Sequence, residues 1–396
     1  MDHRRSERGA AVNILIVKLS AIGDVIHTLP SLAALRRCFP DADITWAVEE
    51  AAADLLYDHP ALNRVIVSAR KRWFKELRQG EIARPLREMR AFLKELRSRK
   101  YDLVIDFHGL LKSAVIVLLS GGKRKLGYDS LQEGSGLFYN EKIPEAMGKH
   151  AVDRYLDFVR YLARGDEKAC LAGAPEFRIA VGESEENKII GLFSQTILGP
   201  YQLRQGGSAN SMSSLPQTGE PHDQNAAWQQ APPPFIAVSP VAFWETKLWE
   251  DEKFALLGDR IQMELGATVV LTGGSAEPLE KIRKLMKTKA LNLGGKTSLR
   301  ELAALYKRAK IVVTTDSGPM HLAAAVGTPV VALFGPTDPV RTGPYGPGHR
   351  VIRTGISCSP CLRKYCPHPR CMTEITVEEV FKAVRKKLEE LGKTPP

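Results

Sequence analysis

Short apolar runs alternate with longer stretches of helical periodicity over the first 193 residues. The runs are rich in Val, Ile and Leu, as expected of strands buried on both faces of a parallel sheet. The predicted strands are Asn13–Val17, Ile44–Val48, Leu62–Val67 and Leu103–Asp106. The first helical pattern between them runs toward Arg37 and is stopped by Pro40. This alternation predicts a doubly wound α/β domain with a parallel sheet.

The same alternation returns in the second half of the chain. Strands are predicted at Ile236–Ser239, Thr268–Thr272, Ile311–Thr314 and Val330–Phe334. Helical patterns cover Phe254–Glu264, Leu299–Arg308, His321–Val326 and Val377–Leu391. We therefore expect two Rossmann-like α/β domains, over residues 1–193 and 235–374. A terminal helix within residues 375–396 is expected to pack back toward the first domain.

Residues 194–234 differ from both halves. They are rich in Gln, Gly, Ser, Asn and Pro and end in Pro232, Pro233 and Pro234. With so few large apolar side chains the stretch cannot pack a core. We predict a disordered polar linker or insertion there.

Composition narrows the class of protein. The 396 residues are 44% hydrophobic and 26% charged, which is the balance of a soluble globular protein. No apolar run approaches the ~18 residues of a membrane-spanning helix, and the polar N-terminus does not predict a secretory leader. Six cysteines in a chain of this length predict a cytoplasmic protein, with Cys38 and Cys170 as ordinary thiols.

The net charge of +11 favours an anionic partner and is concentrated in one segment. Residues 70–100 hold twelve Lys or Arg against four Glu. Aromatic residues interrupt the basic ones at Trp73 and Phe74. Such a segment suits nucleic acid, an anionic membrane surface or a phosphorylated substrate, and a solvated basic face is the alternative.

The loop after the first strand carries the first candidate for catalysis. Gly23 permits a tight turn, and Asp24 follows it at the expected start of a helix. In parallel sheets ligands bind at the carboxyl ends of strands, where this loop must lie. Asp24 is either a helix cap or a general base acting on a substrate hydroxyl, and spacing alone does not choose.

Two segments of the second half could hold an anion. Asp316, Ser317, Gly318 and His321 join a buried strand to a helix whose first amides suit a phosphate, unless the polar side chains cap that helix and His321 lies in the core. Lys247 lies on a strand-end loop between two tryptophans and could reach a phosphate, or could be an ordinary surface lysine.

Four cysteines near the C-terminus have the spacing C-x2-C-x4-C-x4-C. They are Cys358, Cys361, Cys366 and Cys371. The spacing is compact enough for zinc or an iron–sulfur cluster but matches no standard site, and free thiols are the more common outcome. We therefore expect no metal and keep the four cysteines as candidates.

Taken together, these motifs resemble glycosyltransferase family 9. The segments that carry the resemblance are residues 16–30, 44–50, 101–113, 137–140, 150–154, 316–321 and 334–339. They include Gly23-Asp24-Val25 in the first half and Asp316-Ser317-Gly318-Pro319 in the second. The resemblance covers both halves and leaves out the 194–234 stretch.

The resemblance implies a GT-B fold, in which two Rossmann-like domains face each other across a cleft. It implies inverting transfer of L-glycero-D-manno-heptose from ADP-L-glycero-D-manno-heptose to the Kdo of Kdo2-lipid A. The alternative within the family is transfer to a later core acceptor. No cofactor or metal is implied, and nucleic acid is not expected as a partner.

The resemblance also implies roles for individual residues. Asp24 becomes the catalytic base, which overturns its interpretation as a cap. The implied donor-binding residues are Lys247, Glu277, Asp316, Ser317, Gly318 and His321. The basic residues Lys71, Arg72, Lys75 and Lys112 are expected to bind the acceptor. The enzyme would be peripheral on the cytoplasmic face of the inner membrane, held by charge and by Trp73 and Phe74.

Overall fold

A computed structural model describes residues 12–130, 132–163, 165–197 and 234–393. The predicted linker over 194–234 therefore lies almost wholly outside the described residues. Within the described part, no helix combines the length and the apolar character needed to cross a bilayer.

The first half contains a six-stranded parallel sheet. Its strands are β1 (Asn13–Val17), β2 (Asp43–Glu49), β3 (Arg64–Ser68), β4 (Leu103–Asp106), β5 (Arg124–Tyr128) and β6 (Glu141–Ile143). Their order is β3-β2-β1-β4-β5-β6. The four predicted strands are confirmed. β5 and β6 were not predicted, because they are short and largely polar, and β6 buries only Ile143 at the sheet edge.

The described residues of this half form eight α-helices. They are α1 (Ile22–Cys38), α2 (Glu50–Ala53), α3 (Arg70–Arg78), α4 (Ala83–Leu96), α5 (Leu111–Leu119), α6 (Ala151–Leu162), α7 (Glu167–Cys170) and α8 (Glu183–Ile197). A short 3₁₀ helix covers Gln132–Phe138. Residues 23–35 of α1 are buried except Asp24, because α1 packs on the sheet, on α6 and on the second half of the chain.

The second half repeats the architecture. Its strands are β7 (Phe235–Ser239), β8 (Thr268–Leu271), β9 (Leu291–Asn292), β10 (Ile311–Thr315), β11 (Val330–Leu333) and β12 (Arg350–Ile352). They form a parallel sheet in the order β12-β11-β10-β7-β8-β9. The four strands predicted in this half are confirmed, and the short β9 and β12 were missed.

The helices of the second half flank this sheet. They are α9 (Asp251–Leu265), α10 (Ala276–Leu285), α11 (Leu299–Arg308), α12 (Gly318–Ala325), α13 (Pro339–Thr342), α14 (Arg370–Thr373) and α15 (Val377–Lys393). A 3₁₀ turn covers Glu245–Lys247. The two sheets share one topology. In each sheet there is one point where the connections of two neighbouring strands run in opposite directions along the sheet. That point lies between β1 and β4 in the first sheet and between β7 and β10 in the second, which is where ligands bind in such folds.

The terminal helix α15 packs on the second domain, so the expectation that it returns to the first is wrong. Val380, Phe381 and Val384 join the second apolar core, and the Arg260 guanidinium of α9 lies 3.8 Å from the Phe381 ring centroid. The spacing of apolar residues predicts the helix but not the partner of its buried face.

Helix α8, from the first half, packs instead on α11 of the second. Lys188 pairs with Glu301 at 2.9 Å, and the rings of Phe193 and Phe235 lie 5.1 Å apart. The helix extends to Ile197, so the predicted linker begins inside a helix.

Cys38 and Cys170 are joined by a disulfide, which corrects their prediction as thiols. The bond links the C-terminal end of α1 to α7. The two cysteines are 132 residues apart, and no spacing signal pairs them in the sequence.

Candidate active site in the cleft between the domains

Asp24 lies in the first turn of α1, at the carboxyl end of the central strand β1. Its Oδ2 accepts a hydrogen bond from the Ala21 amide at 3.2 Å, so one carboxylate oxygen does cap the helix. Its Oδ1 accepts from the Tyr155 hydroxyl at 3.2 Å. Capping and a chemical role are therefore compatible, because the cap uses only one of the two oxygens.

A buried cation lies behind Asp24. The Lys18 ammonium donates to the Tyr155 hydroxyl at 2.7 Å and to the Phe107 carbonyl at 3.0 Å. Burial alone would raise the pKa of the Asp24 carboxyl, but the Lys18 charge and the Ala21 amide outweigh it and hold the pKa below its ordinary value. Asp24 is consequently ionised at neutral pH, with Tyr155 fixing its orientation.

A second buried carboxylate shapes the neighbouring loop. Asp106, at the end of β4, accepts from the Tyr139 hydroxyl at 2.7 Å and from the amides of His108 and Gly109 at 2.8 and 3.2 Å. Burial raises the pKa of Asp106. This bonding fixes the turn that carries the Phe107 carbonyl and leads into α5, whose Lys112 donates to the Ser20 hydroxyl at 3.1 Å.

On the opposite side of the cleft, Lys247 pairs with Asp316. The Lys247 ammonium lies 2.7 Å from Asp316 Oδ2, which also accepts from the Thr337 hydroxyl at 2.6 Å. The Thr315 hydroxyl donates to the Val241 carbonyl at 3.0 Å and holds the β7 loop against the end of β10. The structure therefore brings together two of the predicted donor-binding residues, on loops from different strands.

Neither Asp316 nor Ser317 caps α12 through its side chain. Ser317 takes the N-cap position without a side-chain capping bond, and its hydroxyl donates back to the Thr315 carbonyl at 3.3 Å. The capping alternative is thus wrong for this helix. The Gly318 amide of its first turn can donate to an anion at the cleft, whereas Pro319 has no N–H and the Met320 amide donates to the Ser317 carbonyl at 3.1 Å.

The first turns of α1 and α12 touch each other across the cleft. His321 Nδ1 lies 2.9 Å from His27 Nε2, and a Cβ built on Gly23 would stand 2.3 Å from His321 Cδ2. Only glycine at position 23 allows this approach. Burial lowers the pKa of His321 to about 4 and that of His27 well below its ordinary value, so the pair is neutral. His321 therefore holds the two domains together beside Asp24.

The basic residues of the first domain divide into two kinds. Arg72 is held by the carboxylates of Glu50, Glu76 and Glu88 and so has its charge balanced within the protein. Lys71 and Lys75 are exposed and line a groove of about 450 Å³, which we call the basic groove. Lys71 also pairs with the buried Glu49 at 3.0 Å and shares that carboxylate with Arg70, whereas Lys75 has no ion pair among the described residues. Its lining residues are Arg70, Lys71, Phe74, Lys75, Arg78 and Gln79.

The two predicted aromatic membrane anchors, Trp73 and Phe74, differ in their exposure to solvent. Trp73 is buried, and its indole nitrogen donates to Glu88 at 2.7 Å, so its expected contact with a membrane is wrong. Phe74 keeps 49% of its surface exposed, beside the basic groove. Consecutive residues of an α-helix point about 100° apart, so the face of α3 that buries Trp73 leaves Phe74 exposed.

Glu277 and the cysteines are less integrated into the site. Glu277 lies in the first turn of α10 with its side chain 84% exposed and 3.8 Å from Lys281, so its contact with a ribose stays a prediction. Cys358 and Cys361 are exposed, Cys366 is half-buried and Cys371 is buried. Across the described residues, no group of three or more His, Cys, Asp or Glu side chains has the geometry to hold a metal ion.

Several residues of this site were not singled out in the sequence. Lys18 adjoins the Asp24 loop, and Thr337 lies in a segment that carries the family resemblance, so both had a signal. His27 lies in the 16–30 segment and so had the same signal as Thr337. Tyr155 had none, because it lies outside those segments and occupies a helical position typical of core residues. The partners of His27 and Tyr155 come from other elements of the fold.

Comparison with known proteins identifies the family of this chain and relatives whose function is named. A sequence model for glycosyltransferase family 9 (heptosyltransferase) matches residues 89–371. Lipopolysaccharide heptosyltransferase 1 of Pseudomonas aeruginosa is 33% identical over 367 residues, which cover 90% of this chain and 88% of the relative.

Solved structures of heptosyltransferases superpose on nearly the full length of this chain. E. coli heptosyltransferase WaaC with ADP superposes with a TM-score of 0.68 at 26% identity, covering 95% of this chain and 100% of the other. WaaC with ADP-2-deoxy-2-fluoro heptose also has a TM-score of 0.68, at 25% identity, with 95% and 99% covered.

Proposed function

The chain belongs to glycosyltransferase family 9 and has the GT-B fold, and we propose that it transfers L-glycero-D-manno-heptose from ADP-heptose to the Kdo of Kdo2-lipid A. This reaction adds the first heptose of the lipopolysaccharide inner core. The observation that carries the proposal is the ionised Asp24 carboxylate, which lies beside the contact between α1 and the first turn of α12. An acceptor hydroxyl at Asp24 would thus adjoin a donor bound at that helix.

The donor side supplies positive charge where ADP would leave. In our proposal Lys247, held by Asp316, and the first amides of α12 at Ser317 and Gly318 bind the diphosphate. The two WaaC complexes with ADP and a fluorinated ADP-heptose support a donor of this chemistry. His321 adds a side chain at the boundary of the two substrates, and Glu277 takes the ribose.

The chemical step uses Asp24 as the base. The Kdo hydroxyl gives its proton to Asp24 while its oxygen attacks the anomeric carbon of heptose from the face opposite ADP. The bond between that carbon and the β-phosphate oxygen breaks, and ADP leaves with the electron pair. Attack from the opposite face inverts the anomeric configuration. Lys18 and Tyr155 keep Asp24 ionised and oriented before the acceptor arrives.

The acceptor side is cationic, as the substrate demands. The exposed Lys71 and Lys75 face the basic groove, and Lys112 lies between that groove and the Asp24 loop through its bond to Ser20. We assign these three lysines to the carboxylates and phosphates of Kdo2-lipid A. Arg72 supports α3 through its ion pairs and is assigned a structural role. Phe74 and the groove would hold the enzyme at the anionic surface of the inner membrane.

The direct test mixes the purified chain with ADP-heptose and Kdo2-lipid A. We expect release of ADP and a lipid product heavier by one heptose, with inverted anomeric configuration by proton NMR. A parallel reaction offers an acceptor that already carries the first heptose. Turnover on that acceptor alone would contradict the proposal and favour a later step of core synthesis.

A further inference from the structure

The segment that contains the four clustered cysteines, residues 356–371, lies against the donor side of the cleft. We call it the cysteine-rich segment. The amides of Cys361 and Leu362 donate to the Pro336 carbonyl at 3.0 and 2.8 Å, and the Ser359 hydroxyl donates to the Gly335 carbonyl at 2.6 Å. Pro336 immediately precedes Thr337, which holds Asp316. The segment is therefore bonded to the loop that supports the Lys247–Asp316 pair.

A second bond joins the segment to the loop after β7. The Thr246 hydroxyl donates to the Arg363 carbonyl at 2.8 Å, and Thr246 itself is buried. Thr246 immediately precedes Lys247. The cysteine-rich segment thus connects both loops on which the donor-side charges depend, and its next residue is Lys364.

Two ammonium groups lie around one indole at this place. Lys247 Nζ is 4.5 Å and Lys364 Nζ is 5.4 Å from the Trp244 ring centroid. A neutral ring attracts each cation, but it does not cancel their mutual repulsion. Asp316 balances Lys247, whereas Lys364 makes no ion pair within the part of the chain that the structure describes. The arrangement leaves positive charge that an anionic ligand would balance.

We infer that Lys364 is a second cation for the diphosphate of the nucleotide-sugar donor, with Trp244 as the platform that orders both lysines. This inference rests on the proposed function, in which that diphosphate binds at Lys247. Because the two ammonium groups lie 4.5 and 5.4 Å from the same ring centroid, one diphosphate bound beside that ring would contact both. Lysine suits this role, because its charge sits at the end of a flexible stem and can follow the phosphates as ADP leaves. The cysteine-rich segment then serves as a wall of the donor site.

The test compares ADP with adenosine as ligands in calorimetric titrations. In Lys364→Met we expect ADP to bind about tenfold more weakly, which is the usual size of one charge-assisted hydrogen bond, and adenosine to bind as in the wild type. Lys364→Arg should restore most of the ADP affinity. Lys386→Met, an exposed lysine on α15, is the matched control and should bind both ligands normally.

The possible failures are distinguishable. If the wild type binds ADP no more tightly than adenosine, the diphosphate site is absent and both the proposed function and this inference fall. If the wild type prefers ADP and Lys364→Met keeps that preference unchanged, only the role of Lys364 is overturned. The thermal midpoint of Lys364→Met should equal that of the wild type, since the side chain is exposed.

Discussion

After β1 and after β10 the chain follows the same path: a buried strand ends at the switch point of its sheet, and a helix begins within a few residues. The two strand ends differ in how their charges are balanced. At β1, the Lys18 ammonium donates to the Tyr155 hydroxyl, which donates to Asp24, so a buried cation and a carboxylate of the same domain balance each other. At β10, Asp316 balances Lys247, and Lys364 adds a further exposed cation.

This difference separates the two tasks of a transferase. The first strand end keeps one carboxylate ionised and oriented without help from a ligand, as a base requires. The second strand end places cations and helix amides together, and an anionic ligand would balance their charge. A leaving diphosphate is stabilised by such an arrangement. One topology thus supports two chemistries because the side chains around its switch point differ.

Replacing Asp24 should give the largest effect. Asp24→Asn keeps the shape but cannot accept the proton, so we expect kcat to fall about a thousandfold, within the usual range for a general base. Steady-state ADP release with Kdo2-lipid A measures it. Asp41→Asn, an exposed aspartate of the same domain, should retain full turnover. A kcat within tenfold of wild type in Asp24→Asn would remove its role as base.

Replacing Lys247 tests the other strand end. Lys247→Met removes the cation nearest the leaving group, and we expect kcat/KM for ADP-heptose to fall about a hundredfold. The loss should appear in donor binding as well as in turnover. Lys289→Met, exposed in the same domain, serves as control. Unchanged kcat/KM in Lys247→Met would place the diphosphate elsewhere.

The basic groove provides a comparison outside the cleft. The double variant Lys71→Gln and Lys75→Gln should bind anionic phospholipid vesicles about tenfold or more weakly, since each lysine near such a surface contributes about 1 kcal/mol. Lys307→Gln with Lys310→Gln carries the same charge change on the second domain. An equal loss of vesicle binding in both double variants would show a general effect of net charge and would contradict a specific role for the basic groove.

The His27–His321 contact predicts a smaller effect, on stability. The pKa of His321 is lowered from 6.5 to about 4 in the folded protein, so between these values the unfolded chain binds a proton that the folded chain does not. Stability present above pH 6.5 is therefore lost as pH falls toward 4, by on the order of 2 kcal/mol between pH 7 and 5.

Urea unfolding at several pH values measures this loss. His321→Asn should show a shallower dependence on pH, whereas His368→Asn, an exposed histidine, should match the wild type. An unchanged slope in His321→Asn would indicate that other groups carry the acid sensitivity.

Much of this molecule follows from local sequence, and the reasons for the rest are physical. The central strands are buried on both faces and therefore leave an apolar signature, whereas β6 and β12 lie at sheet edges and do not. Asp24 and Asp316 follow such strands, so their location at the cleft was predictable.

Features that depend on packing between distant segments were not predictable. His27 meets a histidine 294 positions away, and Tyr155 reaches Asp24 from α6. The packing partner of α15 and the pairing of Cys38 with Cys170 likewise depend on contacts between distant segments. In residues 70–100 the sequence shows which side chains are basic. It does not show which of them are paired with carboxylates in the fold, as Arg72 is.

One paired titration tests the division between the two strand ends most directly. ADP is titrated into Asp24→Asn and Lys247→Met, and each variant is assayed for heptose transfer to Kdo2-lipid A. We predict that Asp24→Asn binds ADP within twofold of wild type while transfer is lost, and that Lys247→Met loses both. Weakened ADP binding in Asp24→Asn, or transfer that survives there, would contradict it.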